Sequence, residues 1–324
     1  MLRYNLRMRR AVPTVLLLAA LVALLALLAA CGGGMEPTAT GPRRQRGILL
    51  MAHGGSPEWN AEVEAAVEPL RVRWPVEISY GMAVPSSIEA AVARLEARGV
   101  TDIAVVRLFV SGESWREETR YILGLRADLP AEPIRAHAAP PHHAPAAGPG
   151  HAGHVMEPPR RIAHRARISM SQDGVGDSAL IDAILVDRVR ALSADPARET
   201  VLVIAHGPGD DAEDQRWIAG MKQRLAGLAA VGAFRRVEVA TLREDWPEKR
   251  PAAEKRIRTI VDQGNTGGGR VIVVPFRVAG FGPYRDVLAG QTYVSDGKGF
   301  LPHANVTRWI ERTAESVLTS TARR

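Results

Sequence analysis

The run Ile48-Leu49-Leu50-Met51-Ala52-His53-Gly54 returns later in the chain as Val201-Leu202-Val203-Ile204-Ala205-His206-Gly207. Each run is apolar, too short for a buried helix, cut by His-Gly, and followed by a polar turn and a segment of helical period. That order is the signature of a strand feeding a helix in a parallel sheet. Val271 to Phe276 likewise matches Ile103 to Leu108 in position, so the chain reads as duplicated. Within the first copy, Val76 to Tyr80, Asp102 to Val110 and Ile162 to Met170 read as further strands. Ser86-Ser87-Ile88-Glu89 reads as a capping box that opens a helix burying Ile88, Val92 and Leu95 and ending at Gly99. Leu180, Ile181, Ile184, Leu185 and Val189 share one helical face, and a last helix is expected from about Ala304 to Leu318. The fold class is α/β. The boundary between copies is expected at Ser193 to Glu199, giving repeats at 47–192 and 199–320.

The N-terminus constrains location. Arg3, Arg7, Arg9 and Arg10 precede an uncharged stretch from Ala11 to Ala30, which stops at Leu28-Ala29-Ala30-Cys31 before three glycines. A basic start, an apolar middle and a small-residue end make a secretory signal over 1–31. A segment of about 20 apolar residues is also long enough to span a bilayer. The sole cysteine of the chain decides between them, because Cys31 stands where a lipobox needs a thiol to carry lipid. The mature chain is therefore expected in the cell envelope, anchored by lipid to a membrane and facing the periplasm or exterior. Residues 32–46 read as a tether rich in Gly, Pro and Thr. The formal charge of +7 is spread over the chain without a basic run interleaved with aromatics, so no nucleic-acid partner is expected.

An insertion over 136–160 is built from Ala, Pro, Gly and His and holds His137, His142, His143, His151 and His154, five of the nine histidines. Neutral imidazoles of this density recruit Ni, Co, Zn or Cu loosely. The alternative is a low-complexity linker.

His53 and His206 fall at the carboxyl ends of strands, the edge where open α/β sheets bind ligands. A histidine there can ligate a metal or move a proton. Phosphohistidine chemistry competes, but Ala52 and Ala205 stand where histidine phosphatases carry Arg.

These elements together resemble the class II chelatases of the sirohydrochlorin cobaltochelatase and ferrochelatase type (CbiX-like). The resemblance rests on Ile48 to Gly54, Pro85 to Ala90, Val105 to Gly112, Val201 to Gly207 and Val271 to Gly280. It implies two tandem chelatase-like domains, each a mainly parallel sheet of four or five strands flanked by helices. It also implies a cleft that holds an anionic tetrapyrrole while His53 and His206 serve as metal ligand and base. The metal would be divalent Co, Ni or Fe, with Zn possible.

The sequence departs from the family in one respect. The family's second histidine falls on Ser114 or Trp115 in the first copy and on Pro283 or Tyr284 in the second. Glu113 and Glu117 near His53, and Asp210, Asp211 or Glu244 near His206, are substitutes by position. Arg107, Arg116, Arg243, Arg277 and Arg285 lie at or beyond strand ends, where guanidinium groups can hold substrate carboxylates. Two readings result: a lyase inserting metal into a tetrapyrrole, or a non-catalytic carrier of metal or tetrapyrrole that retains the fold.

Overall fold

The computed structural model describes residues 44–130 and 157–322. Cys31 and the histidines at 137, 142, 143, 151 and 154 lie outside the described residues. In chain order the elements are β1 (Arg46–Ala52), α1 (Pro57–Val67), β2 (Val76–Tyr80), α2 (Pro85–Ala97), β3 (Asp102–Leu108), α3 (Arg116–Ile122) and β4 (Arg167–Met170). They continue with α4 (Leu180–Leu192), β5 (Glu199–Ala205), α5 (Asp211–Arg224), β6 (Arg236–Thr241), α6 (Arg250–Asn265), β7 (Arg270–Phe276), α7 (Tyr284–Val287) and α8 (Ala304–Ala322).

All strand pairs are parallel. One sheet has the order β2-β1-β3-β4 and the other β6-β5-β7. The second sheet thus has three strands, below the four or five expected. A single bridge from Ile272 to Val294 stands where a fourth strand would pair with β7. β6 escapes the sequence pattern because its first residues, Arg236 and Val237, are exposed on a sheet edge and supply no apolar run.

Alternation sorts each strand between two cores. Ile48, Leu50 and Ala52 of β1 join Val201, Val203 and Ala205 of β5 in one core that runs between both sheets. Leu49 and Met51 face α2 and α3 in a second core, and Leu202 and Ile204 face α6 in a third. The central core is closed by an exchange of helices. α4 packs on β7 and α5, whereas the C-terminal α8 packs on β3, β1 and α1. Thr307 of α8 donates to the Ala66 carbonyl of α1 at 2.8 Å, and Arg188 of α4 donates to the Gly299 carbonyl. The stretch 193–199 is a tight turn in which Glu199 accepts from the Ser193 hydroxyl and the Ala194 amide.

Helix starts follow local chemistry except at α2. Ser56 accepts from the Trp59 amide to cap α1, and Asp210 accepts from the Glu213 amide at 2.7 Å to cap α5. At α2 the expected capping box does not form: the helix begins at Pro85 without a side-chain cap on Val84. Instead the Glu157 carboxylate accepts from the Ser86 amide and hydroxyl. Arg160 then pairs with Glu89, and Glu96 accepts from the amides of Arg165 and Ala166. Residues 157–166 therefore lie along α2 before β4 begins, which shortens the strand expected from Ile162. No helix among the described residues is long and apolar enough to cross a membrane.

Candidate functional site

In both sheets the chain passes from the first strand to a neighbour on one side and then crosses to a neighbour on the other, which makes a switch point at the carboxyl ends of β1 and β3 and of β5 and β7. His53 and His206 sit at these two points. The glycine after each takes a left-handed conformation, φ +83° at Gly54 and +80° at Gly207. A Cβ on Gly207 would lie 2.6 Å from the Thr241 Cβ, so glycine is required there. The turn points the glycine carbonyl back at the histidine ring: Nδ1 lies 2.8 Å from the Gly54 oxygen in one site and 2.8 Å from the Gly207 oxygen in the other. A carbonyl only accepts, so Nδ1 carries the proton in both rings. Nε2 is then the nitrogen that holds the lone pair when the ring is neutral, the arrangement that metal-binding histidines use.

Beyond the turns the sites diverge. Ala52 pairs with Leu108 and Ala205 with Phe276, so Phe109 stands level with His53, and Arg277 with His206. The loop after β2 carries Gly81-Met82-Ala83-Val84, whereas the loop after β6 carries Leu242-Arg243-Glu244-Asp245. The loop after β2 is uncharged, and its Ala83, like Phe109, packs in the second core. His206 meets charged groups instead. Its Nε2 lies 3.0 Å from the Asp245 Oδ2, and its ring meets Trp246 edge-on at 5.9 Å. Arg277 donates to the Glu244 carboxylate at 2.6 Å and lies 5.6 Å above the centre of the buried Tyr284 ring. Both nitrogens of His206 face acceptors, a setting that favours the protonated ring. Burial works against that charge, but the Asp245 hydrogen bond and the carboxylates of Glu244 and Asp245 prevail and raise the pKa. Glu244 moves the opposite way: burial raises it, and the charges of Arg277 and His206 carry it below the ordinary carboxylate value.

The arginines divide by what holds them. Arg107 is fully buried in β3 and is committed to the backbone. Its guanidinium donates to the carbonyls of Ser114, Gly112, Gln172 and Ser171 at 2.7 to 3.2 Å. Burial lowers its pKa to about 10. Arg243 is held similarly by the carbonyls of Pro208 and Gly209, by Asp211 and by the buried Asp214. Both are buried and engaged within the fold, which removes both from the expected carboxylate arms. Arg277 is held by Glu244. Arg116 is half-buried beside Glu117, and Arg285 is exposed on α7.

Other position-based candidates also have separate duties. Glu117 is shared by Arg116, Arg120 and Arg126, Asp210 caps α5, and Asp211 pairs with Arg243 and Lys249. Trp115 and Tyr284, at the place of the family's second histidine, are buried core residues. Glu113 crosses to α5 and forms a fork with Arg216, 3.0 Å to Nε and 2.8 Å to Nη2. This pair borders a small cleft of about 80 Å³ lined by Val110, Ser111, Asp177, Trp217, Met221 and Phe276. Sequence reasoning missed Asp245 and Arg216. Only the adjacency of Asp245 to Glu244 pointed toward the former. Among the described residues no three His, Cys, Asp or Glu side chains converge into a metal site.

Residues 47–132 match the model of the CbiX family. No curated protein sequence matches the chain. Among solved structures, SirB from Bacillus subtilis with Fe3+ gives a TM-score of 0.54 at 18% identity over 86% of this chain and 98% of that one. The sirohydrochlorin chelatase SirB from Bacillus subtilis subspecies spizizenii, in complex with cobalt, gives 0.50 at 17% identity over 84% and 96%.

Proposed function

The chain is class II chelatase-like, by its fold and by the CbiX match in its first half, and from this premise we propose that it holds an anionic tetrapyrrole and the divalent metal within it. His53 ligates that metal through Nε2. Co, Ni or Fe is the expected ion. The observation that carries this reading is the ring of His53 at the carboxyl end of β1, oriented by the Gly54 carbonyl with Nε2 as its lone-pair nitrogen. A single histidine suffices for a metal whose other ligands come from the macrocycle. Arg116 and Arg285 remain as arms for its carboxylates.

Insertion of a free ion asks more: an open site with several protein ligands and a base for two pyrrole protons. The described residues do not assemble three ligands, which favours a carrier. The lyase reading keeps one support, the His206–Asp245 pair, which takes up a proton only when the imidazole is neutral. The two separate in one anaerobic assay with sirohydrochlorin. A carrier binds the cobalt complex with a spectral change that His53→Ala abolishes, and leaves the rate of cobalt insertion at the uncatalysed level. Rate enhancement proportional to protein would make it a lyase.

The reading extends to the regions outside the described residues. Cys31 carries lipid and anchors the chain in the envelope, and the five histidines of 136–160 recruit metal loosely. In the native host, Cys31→Ser is expected to abolish labelling by a fatty-acid analogue. Equal labelling of the variant would rule the anchor out.

A further inference from the structure

The second sheet places donors of metal-binding type, His206, Glu244 and Asp245, around one crevice, yet they do not form a metal site. Arg277 explains why. It leaves β7 level with His206, at the position that Phe109 fills in the first half. Its Nη1 takes the Glu244 carboxylate at 2.6 Å, and its planar group lies against Tyr284, the residue at the family's second-histidine place. The backbone is shaped around it. Gly282 has φ +64°, and a Cβ there would lie 2.7 Å from the Arg277 Cζ, so only glycine lets the guanidinium sit at that depth.

We propose that Arg277 is a built-in cation that takes the electrostatic place of a metal ion at the second sheet, so that this half is closed to divalent cations. The mechanism is direct. A divalent ion approaching the His206 Nε2 meets the charge of Arg277, which acts on that ring, a Glu244 already paired with Arg277, and an Nε2 already in contact with Asp245. The same charge sustains the fold, because Glu244 is buried and needs a partner. The inference is independent of what His53 binds, since it concerns only the second half.

The test is cobalt titration of the full-length protein, read by calorimetry and by cobalt absorption, with circular dichroism to confirm folding. In the wild-type background, His206→Ala should leave cobalt stoichiometry unchanged. Arg277→Gln and Arg277→Ala should each add one equivalent of cobalt per chain. Affinity at the new site should rise at least about tenfold, the scale on which groups around a metal act. The addition should vanish when His206→Ala is combined with either variant. Arg277→Lys keeps the charge and should gain nothing. Loss of one equivalent in the wild-type His206→Ala comparison would overturn the proposal. So would folded Arg277→Gln protein that gains no cobalt, or Arg277→Lys protein that gains as much as Arg277→Gln. The proposed role of His53 is untouched by these outcomes and fails only on the tetrapyrrole assay.

Discussion

The crevices after β1 and β5 begin alike and end differently. Strand, His-Gly turn and ring tautomer coincide, down to the 2.8 Å contact from Nδ1 to the glycine carbonyl. At the next residues the first half presents Met82, Ala83 and Phe109, and the second presents Glu244, Asp245 and Arg277. A common backbone is therefore followed by core-packed apolar residues in one half and by paired charges in the other. The turn decides where a histidine points, and the neighbouring loops decide what it can do there.

The largest expected effect tests how each half holds its loops. Arg107 satisfies four carbonyls in an enclosed setting, and its removal leaves several buried acceptors unpaired. Arg107→Met should cost roughly 3 kcal/mol or more in a denaturant melt. Arg243→Met should cost more, because it also strands the buried Asp214 carboxylate, 3.3 Å from the Arg243 Nη1. Equal costs would erase this difference between the halves.

A second effect is expected with pH. His206 has a raised folded pKa, so its contribution to stability is complete below the unfolded value of about 6.5 and is lost as pH rises through the folded one. Asp245→Asn removes a hydrogen-bonding charge and should lower the His206 pKa, shifting that loss to lower pH. A proton resonance titration of His206 in both proteins reads it directly. An unmoved pKa would mean that Asp245 does not control the ring.

The smallest effect belongs to the Glu113–Arg216 fork. The Arg216 hydrogen bond, ahead of other influences, lowers the Glu113 pKa. Both side chains are nonetheless well exposed, and such pairs are weak and screened by salt. Glu113→Gln should barely move the melting midpoint, and the small difference should disappear in high salt. A large salt-independent loss would instead make the fork a structural tie between the halves.

Most strands were legible because both faces are buried and their runs are continuously apolar, as in β1, β3, β5 and β7. β6 was not, since half of it is a solvated edge. The start of α2 was misread because its cap, Glu157, lies far along the chain, and no local pattern reveals such a partner. His53 and His206 were placed correctly at the strand ends by the repeat. Their neighbours were not, for a charge near a strand end in sequence carries no information about what it pairs with. Arg107, Arg243 and Arg277 all read as arms for a ligand and proved to be engaged within the fold. Asp245, the one carboxylate bonded to His206, needed the geometry of the loop after β6.

The most direct test of the division between the halves is an anaerobic absorption titration of cobalt sirohydrochlorin against the wild type, His53→Ala and His206→Ala. The histidines of 136–160 are common to all three proteins and contribute equally. The account predicts that His206→Ala keeps the spectral change of axial ligation and His53→Ala loses it. Loss in His206→Ala with retention in His53→Ala would contradict it.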